Sequence, residues 1–174
     1  MQTRFENSFV RDENTAKEIY NYWFFKKPTM VLMYGILAFY ALACIVGLCF
    51  DFENAEEFML PCILAVILPV MMIVSYRSQV KMMVKRDREM ANGRELVCNV
   101  TVTDGEITSA ALDGKNSVSL ENLKYAFQTK SYIVVVTNAR LMYLLKKDGF
   151  TVGNAEEFIA FLKEKRVKIK GKKN

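Results

Sequence analysis

The chain has no histidine among its 174 residues. That removes at once the commonest general base, the usual proton shuttle and the commonest metal ligand. Its four cysteines (Cys44, Cys49, Cys62 and Cys98) contain no Cys-x-x-Cys pair. Neither a disulfide framework nor a zinc site is indicated, and buried small apolar side chains are the default. No Gly-x-Ser-x-Gly turn frames a serine, so the nucleophile elbow of a hydrolase is missing too. No residue pattern calls for a cofactor or a metal. The most informative absence is charge. There is none from Thr29 to Phe50, and again none from Phe58 to Tyr76.

As helices these two runs are roughly 33 and 28 Å long, close to the hydrocarbon thickness of a bilayer. They predict a transmembrane hairpin over residues 28–76, with spans 29–50 and 58–76. Ala43 and Gly47 are four apart, a spacing that lets helices approach closely within the hairpin and leaves room for a homo-oligomer through it. Pro61 falls in the first turn of the second span, where a missing N–H costs nothing, and Pro69 in its middle should kink the helix. With no ionisable residue in either span, a polar transport path is disfavoured.

What charge there is falls in blocks. Residues 1–27 have five basic against four acidic side chains, loop 51–57 has four acids and no base, and residues 77–174 have nineteen bases against eleven acids. The net charges are +1, −4 and +8, which together make the chain's +5. Lys26 and Lys27 precede the first span; Arg77, Lys81, Lys85, Arg86 and Arg88 follow the second. Basic flanks stay on the cytoplasmic side, which puts both termini inside and the acidic loop outside. Tyr20, Tyr22, Trp23, Phe24 and Phe25 crowd up to Lys26 and suit the membrane–water boundary.

Residues 1–27, too few to fold alone, read as a short strand over 4–10 and an amphipathic helix from Ala16 to Lys27, capped by Asp12 or Asn14. Residues 77–93 read as a basic juxtamembrane helix ending at a left-handed Asn92-Gly93 cap. From residue 94 the period becomes two. Leu96, Cys98, Val100 and Val102 alternate with polar residues, Asp104-Gly105 and Asp113-Gly114 supply turns, and further strands follow near 106–112, 117–120, 123–127, 132–138 and 140–146. A last helix starts at Asn154, with Glu157 three residues on and Phe158, Phe161 and Leu162 on its apolar face. The expected fold class is a membrane helical hairpin plus an α+β domain over 94–166, an antiparallel sheet closed by the C-terminal helix, with a frayed basic tail over 167–174. Asn-Ala-Glu-Glu-Phe occurs at 54–58 and again at 154–158, a reused helix-start signal whose flanks do not match.

This order of parts resembles the YcxB-like family of bacterial membrane proteins. The resemblance is carried by Arg94-Glu95-Leu96, Val102-Thr103-Asp104-Gly105-Glu106-Ile107, Leu120-Glu121-Asn122-Leu123, Thr129-Lys130-Ser131-Tyr132-Ile133, Lys147-Asp148-Gly149-Phe150 and Glu157-Phe158. It implies two closely spaced transmembrane helices and a C-terminal domain like the bacterial pleckstrin-homology-type module, and it supplies no catalytic residue. Leu120 stands where members commonly have tryptophan, and Lys146 where many have proline.

The function expected is therefore a membrane-anchored binding or regulatory module, not an enzyme, whose partners are membrane lipids and an unidentified protein. The candidate anionic-lipid contact is Arg77, Lys81, Lys85, Arg86 and Arg88, spaced near i, i+4, i+8. The alternatives are a small membrane enzyme using Ser109, Ser117 or Ser119 with Lys115, and a subunit of a transporter or pore. Nucleic acid is not expected as a partner, because the basic tail has no interleaved aromatics to stack bases.

Overall fold

The computed structural model describes residues 2–50, 55–112 and 114–170. Residues 51–54 of the acidic loop, Asp113 of the second expected turn and residues 171–174 of the tail lie outside the described residues. The chain divides into two units, Glu13–Lys85 and Met1–Asp12 with Arg86–Asn174.

The first unit is helical. Helix α1 (Glu13–Asn21) leads into a π-helical turn (Tyr22–Lys26), then α2 (Pro28–Phe50) and α3 (Ala55–Ala91). The expected helix through Lys27 is thus shorter by a turn. The run Tyr22-Trp23-Phe24-Phe25 winds more widely, and the Lys27 N–H donates to the Tyr22 carbonyl five residues back at 2.9 Å. Two helices are long and apolar enough to cross a membrane, over Pro28–Gly47 and within Leu60–Ala91. Their side chains face outward: Leu32, Phe39, Leu60 and Val66 are 67, 74, 65 and 66% exposed. Core helices of a soluble protein would bury such residues, and exposed apolar surface on this scale marks a face for a membrane or for another protein. Helix α3 passes through Pro61 and Pro69 and continues as one element into the basic segment. It ends as expected, with Asn92 (φ 50°) and Gly93 (φ 80°) both left-handed.

The second unit holds nine strands in two sheets. These are β1 (Thr3–Val10), β2 (Val97–Thr103), β3 (Glu106–Ala111), β4 (Gly114–Ser119), β5 (Leu123–Gln128), β6 (Tyr132–Thr137), β7 (Met142–Lys146), β8 (Phe150–Val152) and β9 (Lys168–Lys170), with α4 (Ala155–Glu164) before the last. One sheet has the order β4-β3-β2-β1-β8, the other β7-β6-β5-β9. All pairings are antiparallel except β5 with β9. The inward faces meet in a core containing Phe5, Val100, Val102 and Ile107 from the first sheet and Ala126, Ile133, Val135, Tyr143 and Leu145 from the second. Phe158, Phe161 and Leu162 of α4 join it, and the Phe5 ring lies 5.3 Å from Phe158 and 5.4 Å from Phe161. Asn154 caps α4, its Oδ1 accepting from the Glu157 N–H at 2.9 Å.

Two expectations are corrected here. The sheet domain is not confined to 94–166, because β1 lies inside its first sheet between β2 and β8. Phe5, Asn7 and Phe9 alternate onto the buried face, so the N-terminal segment supplies one of the domain's own strands. Nor is the tail frayed throughout: Lys168-Ile169-Lys170 pairs in parallel with Tyr125-Ala126-Phe127, turning Ile169 toward the core and both lysines outward. Where the chain enters and leaves β8 it must approach β1 closely. A Cβ on Gly149 would stand 2.7 Å from the Ser8 carbonyl oxygen, and one on Gly153 2.5 Å from the Phe5 ring. Only glycine fits either place.

Phe158 is fully buried. Replacing it with alanine should destabilise the domain by about 3–5 kcal/mol. Denaturant-dependent hydrogen exchange of the β5 and β6 amides in the full detergent-solubilised chain measures this, and unchanged protection would take α4 out of the core.

Candidate membrane interface

Within the helical unit, four rings fix the register of α2 against α3. Tyr76 meets Phe24 at 5.7 Å and Phe25 at 5.4 Å, edge to face, and Phe25 stacks on Tyr34 at 6.1 Å. The Tyr34 hydroxyl donates to the Phe24 carbonyl at 2.8 Å, occupying a backbone acceptor in the π turn. Tyr76 is therefore level with the start of α2, and the thiols of Cys44 and Cys62 meet farther along both helices. The two helices run antiparallel. Consequently Lys26 and Lys27, which open α2, and Arg77, which follows Tyr76, stand at the same end of the hairpin. The aromatic rings are engaged with one another and Trp23 holds the Lys27 ammonium 4.6 Å from its ring centre, an arrangement suited to a wet–dry boundary. Of the small pair expected to form the packing seam, Ala43 is exposed; Cys44 takes the buried place.

All five basic residues after the second span are exposed. At about 100° per residue, Arg77, Lys81, Lys85 and Arg88 fall within one quadrant of α3, while Arg86 stands about half a turn from Arg77. The single basic face expected of all five therefore loses Arg86, whose charge instead acts on its neighbour Asp87. The buried positions of α3, Val80, Met83, Asp87 and Ala91, lie between these two directions.

Asp87 was not singled out in the sequence, and it is the most constrained charge in the sheet unit. Its side chain is 9% exposed, and its Oδ2 lies 2.8 Å from Arg11 Nε. Arg11 Nε and Asp87 Oδ1 both lack a directed hydrogen bond, so the pair is held by charge more than by geometry. Burial pushes the Asp87 carboxyl above its ordinary range; Arg11 and then Arg86 pull it down by less. Burial likewise pushes up the thiol of Cys98, against Arg11, which lowers it, and Asp87, which raises it. A thiol so held is a poor nucleophile. The signal available in the sequence was an arginine directly after a strand and an acid within a basic helix, too common a pattern to stand out.

The remaining polar candidates are tied up locally. Ser117 donates to Glu106 Oε2 at 2.6 Å and accepts from Thr108 at 3.1 Å on the exposed face of the first sheet. The Ser119 hydroxyl accepts from the Glu121 N–H across the short 3-10 turn at Leu120–Asn122. Lys115 sits opposite Ala110 at the edge of that sheet. Among the described residues no three His, Cys, Asp or Glu side chains gather as a metal site would need. Comparison with protein-family models, characterised proteins and solved structures finds no match to the chain.

The raised Asp87 carboxyl has a definite sign. A native pKa above the unfolded one means the native state binds the proton more readily. The resulting stability is full below the unfolded carboxyl value of about 4 and is lost as pH rises through the native value. Relative to Asp87→Asn, which cannot ionise, the native chain should therefore gain stability as pH falls toward that value. Denaturant titrations of both proteins across the acid range check this, and a difference independent of pH would overturn it.

Proposed function

We propose that this chain is an integral membrane protein whose two helices form a hairpin and whose sheet domain lies wholly on one side, serving there as a binding or regulatory module. One observation carries the proposal: β1 precedes both apolar helices, β2 follows both, and the two strands pair from Thr3↔Thr103 to Val10↔Val97. If the helices cross a bilayer, an even number of crossings is needed for that pairing to form. The coincidence of Lys26, Lys27 and Arg77 at one end of the hairpin supports placing that side in the cytosol. The YcxB-like resemblance supports a bacterial membrane protein with a pleckstrin-homology-like domain closed by α4. The stripe Arg77, Lys81, Lys85 is the proposed contact with anionic lipid, with Arg88 following on the same quadrant.

Cysteines introduced at Asn54 and Asn174 test the topology. An impermeant maleimide outside intact cells should label the first and miss the second, and labelling of Asn174 would invert the arrangement. The lipid contact is tested by native mass spectrometry of the full chain released from mixed phosphatidylcholine and phosphatidylglycerol. Retention of phosphatidylglycerol should weaken by about 1 kcal/mol, roughly fivefold, for each of Arg77, Lys81 and Lys85 changed to Gln. Equal retention of both lipids would leave these residues as topology determinants alone.

A further inference from the structure

The outer face of the first sheet is mostly polar over two cross-strand rows. Glu6, Thr101, Thr108 and Ser117 form one cross-strand row, and Ser8, Asn99, Ala110 and Lys115 the next. The row after that is different. Val10 pairs with Val97, and Leu112 is the residue that follows Ala111, the partner of Cys98. These three are 44, 39 and 44% exposed. Among the described residues, only Val152 of β8, opposite Glu6, is another large exposed apolar residue on that face.

The apolar row has a particular place in the chain. Val10 is the last residue before the segment that leads to α1, and Val97 is the first strand residue after α3. Both connections to the apolar helices thus leave the sheet from this end. Leu112 is also held at φ 51°, a conformation in which a bulky side chain is strained and glycine or asparagine would be at ease. The positive φ belongs to the tight β3–β4 connection that the Ala111↔Gly114 pair closes. A leucine in that place exposes a large apolar side chain that the packing of the domain does not use, and its exposure is accounted for if the side chain enters an apolar phase. Lys115 stands in the adjoining row, where its stem can lie along the boundary and its ammonium reach headgroups.

We propose that the rim Val10, Val97 and Leu112 rests in the interfacial layer of the same bilayer that the hairpin crosses, so that the sheet domain is seated on the membrane edge-on at its tethered end. This rests on the membrane reading of the two helices, and it adds a contact that neither the spans nor the basic stripe makes.

The test uses the full chain in nanodiscs of phosphatidylcholine and phosphatidylglycerol, with a solvatochromic amino acid encoded singly at Phe39, Val97, Thr101 or Leu112. Quenching at Phe39 by deeply placed doxyl lipid reports insertion of the hairpin, and its absence would remove the membrane reading itself. With Phe39 quenched, the rim predicts blue-shifted emission at Val97 and Leu112 that shallow doxyl lipid quenches, while Thr101 on the same face stays water-like. Unquenched emission at both rim positions overturns the proposal and leaves the membrane reading standing. Blue-shifted but unquenched emission does so as well, because it means a protein surface, such as a second copy, covers the rim. Leu112→Asn supplies the second variant, since asparagine relieves the left-handed strain and keeps the turn. It should lower the quenching at Val97 without loss of folding, and unchanged quenching at Val97 counts against the rim.

Discussion

Seven residues of β1 hold register with β2 across an insertion that runs from Arg11 to Leu96, and β8 flanks β1 on its other side. Without β1, the first sheet would lose the strand that joins β8 to β2, and Phe5 would be missing from beneath α4. The two apolar helices are therefore an excursion from within the domain's own first sheet, and closing that long loop has to be offset by what β1 buries. Phe5 and Phe9 both contribute to that burial, Phe5 meeting Phe150, Phe158 and Phe161 and Phe9 meeting Tyr132. Asn7 supplies the specificity. Its Oδ1 accepts from the Lys146 N–H at 2.9 Å and its Nδ2 donates to the Lys146 carbonyl at 2.7 Å. The amide thus imitates a backbone pairing and joins the first sheet to the end of β7.

Buried polar groups elsewhere in the domain are less well served. The Tyr143 hydroxyl has no hydrogen-bond partner inside the core, and Asp87 Oδ1 has none beside Arg11. An unmet buried group of this kind costs on the order of 1–3 kcal/mol. The contrast with Asn7 is instructive, because all three groups sit in comparably dry surroundings. Of the three, Asn7 alone faces both a backbone donor and a backbone acceptor, the N–H and carbonyl of Lys146, and it shares that carbonyl with the Gly149 N–H at 3.0 Å. The Arg11–Asp87 pair is instead a trade of charge against desolvation. It joins the residue after β1 to the last turns of α3 through a contact whose strength depends on protonation.

Much of this architecture was legible from residue order alone. Charge-free runs of nineteen and twenty-two residues leave few alternatives to long apolar helices, period-two alternation marked β2 and β5, and a continuous β-branched run marked β6. The role of β1 was not legible, since its partner lies far along the chain and no local signal names a distant strand. The polar residue between Phe5 and Phe9, on the face that should be apolar, was the one hint that Asn7 is bonded in the interior. Strands β8 and β9 are three residues each, too short for any period to show. The lysines of β9 read as a solvated run because charge outweighs a single isoleucine in composition. In the candidate interface the basic residues were plain in the sequence. Arg86 departs from the i, i+4, i+8 spacing read for the group, since nine residues from Arg77 is two and a half helical turns.

Making the hairpin an insertion within a sheet also fixes an order of events during synthesis. β1 leaves the ribosome first and has no partner until Val97 and the residues after it emerge, a wait of several seconds at about 5–20 residues per second. Through that interval a strand with Phe5 and Phe9 on one face is an unpaired edge, the kind of segment that aggregates or attracts a chaperone. If the two helices cross a bilayer as proposed, a hairpin that failed to turn back would leave the two halves of the sheet on opposite sides of it, and the pairing from Thr3↔Thr103 to Val10↔Val97 could not form.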